Sequence, residues 1–194
     1  MTDPIEIVPY KHEWNDEFRA LAARLRAGLG DLVLRIDHIG STAVPGLPAK
    51  DVIDIQVTVA SLDLVEPIRE GVARAGFVLN EWVTQDHRPP GEEGPEEDWF
   101  KRFARENPGE KRTHIHIRQA GRRNQRYALL FRDYLRARPL MAEAYARLKV
   151  KIAHFHRDDR DAYVEIKDPA VDLIALPAEE WAQQTGWEPG PSEG

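Results

Sequence analysis

Two short runs of β-branched residues, separated by a loop, constrain the fold of this chain more than any other feature. The runs are LVLRIDHIG (residues 32–40) and DVIDIQVTV (residues 51–59), and the loop between them contains Pro45, Gly46 and Pro48. Apolar runs of this length that are bounded by glycine and proline are typical of β-strands, and the second is apolar enough to be central in a sheet. We therefore predict two strands joined by a turn that starts with Gly-Ser.

Helical patterns lie on both sides of these strands. Residues 15–30 place apolar side chains at helical intervals and end in glycine, which predicts an amphipathic helix. Residues 62–76 predict a second helix, with Ser61 as its N-cap and Gly76 as its stop.

After residue 76 the patterns predict three more strands and then only helices. Residues 84–98 form a long polar loop, either a mobile lid or a disordered segment. The last helix has Asp168 as its predicted N-cap and Pro169 in its first turn. The predicted strands lie at residues 77–83, 98–104 and 112–119, and the predicted helices at residues 124–139, 139–156 and 167–186.

These elements predict an α/β (α+β) fold in a single domain, residues 1–185. A mixed β-sheet flanked by helices extends to about residue 120, and a helical C-terminal region follows at residues 121–185. Residues 186–194 are predicted to form a flexible tail. A chain of 194 residues, 42% of them hydrophobic, is long enough for one such domain with its own core.

Composition excludes several classes of function. The absence of cysteine excludes disulfides, thiolate metal sites and cysteine nucleophiles. No apolar run approaches the roughly 20 residues of a membrane helix, and the N-terminus has no secretory signal pattern, so we expect a cytoplasmic protein without membrane contact.

The charge is unevenly distributed along the chain. The net charge of −6 argues against a protein that coats nucleic acid. Residues 99–138, however, hold twelve Lys or Arg against three Asp or Glu. This segment indicates either a local site for an anionic ligand or a solvated helix face whose arginines pair with acids elsewhere.

The turn after the first strand is a candidate phosphate-binding site. A glycine directly after a strand, here Gly40, lets backbone N–H groups approach a ligand closely, and Ser41 and Thr42 add two hydroxyls. Lys50 and Arg112 precede two of the strands and are further candidate phosphate contacts. The alternatives are a purely structural turn and solvated basic side chains.

Polar side chains on two strands form a candidate metal and catalytic site. Asp54 and Gln56 share one face of their strand, and His114 and His116 share one face of THIHI, because side chains alternate across a strand. A carboxylate within an apolar strand is costly to bury without a metal, a basic partner or hydrogen bonds. We take all four as candidate metal ligands, with Asp54 and His116 as candidate catalytic residues.

The combination resembles the nucleotidyltransferase superfamily, in which a strand ends in Gly-Ser and a following strand has Asp-x-Asp/Glu. More closely, it resembles the GrpB-like family within that superfamily, over about residues 8–182. The matching blocks are HIGSTAVPGLPAKDVIDI, KRFA followed by RTHIHI, LLFRDYLRARP, AYARLK and AYVEIKDP. The resemblance implies that Gly40 and Ser41 hold phosphate and that acids bind two divalent ions. Similar domains occur fused to dephospho-coenzyme A kinases.

The chain departs from the superfamily pattern at the acids. Asp54 occupies the first acid position of the pattern, but the second acid position is occupied by Gln56. The strand that should contain the third acid contains His114 and His116 instead. One aspartate with substrate phosphates can hold Mg²⁺, whereas imidazole suits Zn²⁺ or Mn²⁺ better. We therefore expect one divalent metal, Mg²⁺, Mn²⁺ or Zn²⁺, and a two-metal mechanism is hard to write.

Three functional hypotheses follow for a small phosphorylated ligand such as a nucleotide. The first is a divergent enzyme that transfers a nucleotidyl or phosphoryl group. The second is a module that binds a nucleotide or coenzyme A without catalysis. The third is a histidine-metal site like that of a phosphoesterase. The sequence determines neither whether the protein is an enzyme nor its ligand or oligomeric state.

Other residues have a structural and a functional alternative. Tyr127, Phe131, Tyr134 and Leu135 lie at helical spacing, which favours a core over a base-stacking platform. His38 either lines the site or packs in the core. Three arginines of the helix predicted at residues 124–139 face either the pocket or a partner, namely Arg126, Arg132 and Arg136.

Overall fold

A computed structural model describes residues 4–194. Within this range one sheet contains five strands, and three short 3₁₀ turns and five α-helices complete the fold. The strands are β1 (Val33–Ile39), β2 (Ile53–Val59), β3 (Phe77–Asn80), β4 (Arg102–Glu106) and β5 (Thr113–Gln119). The helices are α1 (Glu13–Leu29), α2 (Val65–Arg74), α3 (Arg123–Ala137), α4 (Pro139–Phe155) and α5 (Arg160–Thr185).

The sheet is mixed, in the order β1-β2-β5-β4-β3. The central pair, β2 and β5, is parallel, and the other neighbouring strands are antiparallel. In the central pair Asp54 is opposite His114 and Gln56 is opposite His116. The predicted mixed α/β sheet flanked by helices, with a helical C-terminal region, is confirmed.

The two faces of the sheet differ because apolar and polar residues alternate along β2 and β5. The apolar side chains pack with α1 and α2 in the larger core, which includes Trp14, Leu25, Ile55, Val57 and Ile115. The polar side chains lie on the opposite face, on the side of the C-terminal helices.

The C-terminal helices form a second apolar cluster with the loop after β1. Leu130 and Leu135 of α3, Tyr145 of α4 and Ile174 of α5 are buried together with Leu47 of that loop. This packing holds α3, α4 and α5 over the polar face of the sheet and leaves a cavity beneath them.

Two predicted helix caps are wrong. Helix α2 begins at Val65 with Leu64 at the N-cap position, and the Ser61 hydroxyl instead hydrogen bonds with Asp63, at 3.1 Å. Helix α5 begins eight residues before Asp168, because the Asp159 side chain accepts a hydrogen bond from the Ala162 amide, at 2.9 Å. In α5 the earlier residue Asp159 serves as the N-cap, and tertiary packing keeps the helix continuous through Asp168.

Proline therefore lies inside a helix rather than at its start. Pro169 and Pro177 both occur within α5, where each lacks the N–H that an interior helical residue donates. Helix α5 nevertheless packs against α3 and α4, which shows that tertiary contacts outweigh the local cost.

Two segments without regular structure contact the sheet region. In the loop predicted at residues 84–98, the Asp86 amide donates to the Trp99 carbonyl, at 2.8 Å, and the Asp86 side chain is largely buried. Near the C-terminus, the Ser192 hydroxyl accepts from the Ile36 amide, at 2.9 Å, and Glu193 bonds with α3. Within the described residues we find no helix with the length and apolarity that a membrane crossing requires.

Candidate functional site

A cavity of about 390 Å³ lies between the polar face of the sheet, the turn after β1 and helices α3 to α5. Its size is within the range usual for small-molecule sites. Of the residues predicted from the sequence, its lining includes Gly40, Ser41, Thr42, Lys50, Asp54, His114 and His116. Gln56 is buried behind this lining, and Arg112 is exposed outside it.

Position 40 requires glycine because its backbone closely approaches the Asp54 side chain. Its φ of +70° is in the region that favours glycine, and a Cβ atom there would lie 2.9 Å from the Cβ of Asp54 and closer still to the carboxylate. The turn therefore lies directly against the acid of the neighbouring strand.

The two hydroxyls after Gly40 have different environments. The Ser41 hydroxyl accepts a hydrogen bond from Lys149 Nζ, at 2.8 Å. The Thr42 hydroxyl is buried, donates to the Val52 carbonyl at 3.3 Å and lies 3.0 Å from the His38 ring. Ser41 is therefore the hydroxyl that contacts a lysine of the cavity lining, whereas the Thr42 hydroxyl is satisfied by a buried carbonyl and the His38 ring.

His38 belongs to the core rather than to the site. Its ring is stacked on Phe18, with centroids 4.8 Å apart, and is almost fully buried. Burial lowers its pKa to about 4, so the ring is neutral at pH 7.

Asp54 and His114 form a hydrogen-bonded pair on the floor of the cavity. The His114 Nδ1 atom lies 3.0 Å from Asp54 Oδ1. Burial raises the pKa of Asp54, but the hydrogen bond from His114 and the neighbouring basic groups outweigh it and leave the pKa below its usual value. Asp54 is therefore a carboxylate at neutral pH.

Gln56 is hydrogen bonded at both ends of its amide. Its Oε1 accepts from Arg118 Nη1, at 2.6 Å, and its Nε2 donates to the Gln125 carbonyl, at 3.0 Å. The carbonyl oxygen that a metal would use is thus held against a buried cation.

The network continues from Arg118 to Asp86, a residue that the sequence reasoning missed. Arg118 Nε donates to Asp86 Oδ2 at 2.8 Å, and Lys101 Nζ donates to Asp86 Oδ1 at 2.7 Å. Burial alone would raise the pKa of Asp86, but Arg118 and Lys101 hold it far below its usual range. A polar loop residue thereby becomes a buried charge that balances two buried cations.

His116 lies at the edge of this network. Its Nδ1 atom is 3.3 Å from Lys101 Nζ and 3.4 Å from Arg118 Nη2. Burial, followed by the charges of Arg118 and Lys101, lowers its pKa well below 6.5, so the ring is neutral at pH 7.

Basic side chains from three parts of the chain lie close together and line one wall of the cavity. Lys50 comes from the loop before β2, Lys149 from α4, and Arg160 and Lys167 from α5. Burial lowers the pKa of Lys50 to about 8 and that of Lys149 to about 7, and in both cases Lys167 lowers it further. Asp168 also lines the cavity and pairs with Lys167, at 3.2 Å, so this wall has an excess of positive charge rather than positive charge alone.

Lys149 was missed by the sequence reasoning, although a signal for it exists. It is only 2% exposed, and within the described residues it forms no ion pair with an acid. Its Nζ donates instead to Ser41 Oγ and to the Pro48 carbonyl, at 2.7 Å. In α4 it occupies the same face as Tyr145, Ala146 and Ile152, so it is a lysine at an apolar position of the helical pattern.

Helix α3 contributes aromatic rings but not its arginines. Tyr127 and Phe131 line the cavity, whereas Tyr134 and Leu135 belong to the second apolar cluster, so the predicted core role holds for the latter pair. The three arginines of α3 that were singled out from the sequence are outside the lining and bond elsewhere, Arg126 with Glu179 and Arg132 and Arg136 with Glu193.

The predicted metal ligands do not converge as a set of four. Among residues 4–194 no group of three or more His, Asp or Glu side chains is arranged to hold a metal ion. Asp54 and His114 are the pair that remains, since Gln56 and His116 direct their acceptor atoms at Arg118 and Lys101. A single Asp-His pair offers too few ligands for two divalent ions, and one ion there would need further ligands from outside the protein.

A family model and a solved structure identify the family of this chain. A family model described as GrpB protein matches residues 4–175. The crystal structure of conserved protein GrpB from Enterococcus faecalis superimposes with a TM-score of 0.73 and 31% identity, covering 91% of this chain and 99% of that one. Terminal uridylyl transferase 4 from Trypanosoma brucei with bound dUTP aligns only loosely. Its TM-score is 0.49 at 11% identity, over 92% of this chain and 55% of that one.

A curated relative is longer than this chain. Dephospho-CoA kinase of Mycolicibacterium paratuberculosis is 38% identical over 199 aligned residues, which cover 96% of this chain and 49% of that protein. The chain thus spans about half the length of the kinases that it matches.

Proposed function

The chain belongs to the GrpB protein family, and we propose that its cavity binds a nucleotide or another phosphorylated small molecule, with transfer of a nucleotidyl or phosphoryl group as its reaction. The proposal rests on the burial of Lys149 in the cavity lining, where it forms no ion pair within residues 4–194. A buried lysine that forms no ion pair is costly; its lowered pKa and the charge of Asp54 compensate in part, and a bound anion would complete the compensation.

The surroundings of Lys149 favour a phosphate over a single carboxylate. Lys50 and Lys167 lie close enough to depress the pKa of Lys149, so several positive charges share one wall of the cavity. A phosphate chain offers several charged oxygens to such a wall, and Ser41 adds a hydroxyl beside Lys149. This arrangement agrees with the phosphate-binding role that the sequence resemblance implies for Gly40 and Ser41.

Asp54 and His114 are the residues that would hold one divalent ion. His114 donates to Asp54 through Nδ1, which leaves Nε2 and the second carboxylate oxygen as the free donor atoms of this pair. A bound ion would there neutralise phosphate charge. Lys50 and Lys149 lie near enough to Asp54 for its charge to raise their pKa values, so they would contact the same phosphates whose charge the ion neutralises.

A thermal-shift panel on metal-stripped protein tests the proposal. ATP, CTP, GTP, UTP, coenzyme A and pyrophosphate are each added with Mg²⁺, Mn²⁺ or Zn²⁺. A ligand at about 100 times its dissociation constant stabilises the folded protein by ~2.7 kcal/mol, a readable shift. Lys149→Met should abolish the shift, and Lys151→Met, an exposed lysine of the same helix, is the matched control.

The outcomes separate the alternatives. A shift that needs metal and is lost in Asp54→Ala supports the metal-dependent site and justifies a search for turnover. Binding without turnover of any tested nucleotide supports an inactive module that binds nucleotide or coenzyme A. A flat panel in wild type, with no shift from any phosphorylated ligand, would overturn the proposal.

A further inference from the structure

The lone pairs of two polar side chains on the sheet point at buried cations. Gln56 Oε1 accepts from Arg118, at 2.6 Å, and His116 Nδ1 lies 3.3 Å from Lys101 Nζ and 3.4 Å from Arg118 Nη2. Arg118 and Lys101 are 5% and 7% exposed, and both are tied to Asp86, so their positions are restricted.

This geometry selects one tautomer of His116. Lys and Arg nitrogens donate hydrogen bonds and cannot accept them, so an imidazole nitrogen that faces two of them acts as the acceptor. Asp86 Oδ1 is 3.9 Å from Nδ1, too far for a hydrogen bond, and is occupied by Lys101 and Arg118. The proton of the neutral ring is therefore on Nε2, and no hydrogen bond from a described residue engages that atom.

We propose that His116 donates a hydrogen bond from Nε2 to an oxygen of the bound phosphate, with Lys101 and Arg118 as positioning residues that hold it in this tautomer. The proposal rests on the proposed phosphorylated ligand and assigns this half of the site to anionic oxygen rather than to metal. A metal ion at Gln56 and His116 would meet two fixed cations and no free acceptor atom.

The other groups around the ring are consistent with a neutral donor. Phe103 packs edge-on against it, with ring centroids 5.2 Å apart, and limits its rotation. Its Nδ1 edge faces Lys101 and Arg118, so the Nε2 edge is the one that a ligand in the cavity can reach.

Nitrogen-15 NMR of histidine-labelled protein tests the tautomer directly. Long-range ¹H–¹⁵N correlations distinguish the Nε2–H, Nδ1–H and charged forms, and the signals that disappear in His116→Gln identify this residue among the seven histidines. We expect the Nε2–H form at about pH 7.5, because Nδ1 faces two groups that can only donate hydrogen bonds. An Nδ1–H form would overturn the proposal.

Calorimetric titration with pyrophosphate tests the contact itself. The amide of His116→Gln can place an N–H near the Nε2 position, whereas His116→Leu has no donor, so we expect near-normal affinity for the first and about a tenfold to hundredfold loss for the second. Wild-type binding that the leucine variant retains in full would overturn this inference alone. A wild type that binds no pyrophosphate, with Lys149→Met equally inert, would overturn the proposed function and the ligand role of His116 together.

Discussion

Lys149 of α4 donates a hydrogen bond to the hydroxyl of Ser41, at 2.8 Å, although 108 residues separate them in the chain. This contact joins the helical C-terminal region to the glycine-serine turn at the edge of the sheet. The cavity is therefore a product of both parts of the chain, and neither would enclose it alone.

The first prediction concerns the charge of Lys149. Because its pKa in the folded protein is about 7, below the 10.5 of an ordinary lysine, the wild type loses this charge as the pH rises through 7. Pyrophosphate binding should therefore weaken between about pH 6 and pH 8.5, and Lys149→Met should lower affinity at least tenfold at pH 6 with a flatter pH profile. Isothermal titration calorimetry measures both, and an unchanged profile in the variant would contradict the assignment.

The same lysine predicts how stability depends on pH. Since the folded-state pKa is the lower one, the unfolded chain binds more protons between about pH 7 and 10.5, and the free energy of unfolding should gain a contribution that rises with pH in this window. Lys149→Met should lack this rise, whereas Lys151→Met should keep it. Urea denaturation of both variants at several pH values makes the comparison.

The second prediction concerns the approach of Gly40 to Asp54. Gly40→Ala should lower the free energy of unfolding by at least ~2 kcal/mol, because the new Cβ is strained at this φ and collides with the carboxylate. Gly46→Ala is the control, since Gly46 has a φ of +78° but nothing within 4 Å of an added Cβ. Its cost should be about 1 kcal/mol by chemical denaturation. Equal losses would mean that the contact with Asp54 is unimportant.

The third prediction concerns the buried charge of Asp86. Asp86→Ala leaves Arg118 and Lys101 buried without a carboxylate and should cost ~3–5 kcal/mol. Asp51→Ala is the comparison, because Asp51 also pairs with two lysines, but its side chain is 39% exposed against 13% for Asp86. Its loss should be smaller, ~1–2 kcal/mol, because the exposed lysine pairs contribute little and the main cost is the buried Trp14 Nε1–H that Asp51 also accepts, at 2.7 Å. Similar costs in equilibrium unfolding would contradict the predicted effect of burial.

Asp86 also predicts a loss of stability in acid. Its pKa in the folded protein is far below the ordinary value of 3.8, so its contribution is fully present above about pH 4 and is lost as the pH falls below it. Wild type should therefore lose more stability than Asp86→Asn between about pH 5 and pH 2.5, as measured by thermal unfolding.

The fourth prediction concerns Glu193, which joins the end of the chain to α3. Its carboxylate accepts hydrogen bonds from Arg132, at 3.0 Å, and from Arg136, at 2.9 Å, and Arg132 is only 3% exposed. Glu193→Gln should cost ~1–2 kcal/mol. Glu188→Gln, an exposed glutamate nearby, should change stability by less than ~0.5 kcal/mol in the same denaturation assay.

Much of the sheet followed from local patterns. The alternation in IDIQV and THIHI predicted that Asp54 and Gln56 share a face, and likewise His114 and His116, and the register places Asp54 opposite His114. Helix ends were less predictable, because Ser61 and Asp168 are good caps by type, yet earlier or later residues start the helices. Local preferences of a kilocalorie or so are smaller than the packing of a whole helix.

The sequence by itself determined which side chains lie on the polar face of the central strands, because alternation along a strand is a local property of the backbone. Only the tertiary structure decided what those side chains meet. Asp86, in a loop, pairs with Arg118, and Lys149, in a helix distant in sequence, contacts Ser41. Burial of the apolar faces of the helices determines the positions of these charged side chains. Gln56 and His116 contact buried cations instead of a metal because of that packing, which their spacing in the sequence does not reveal.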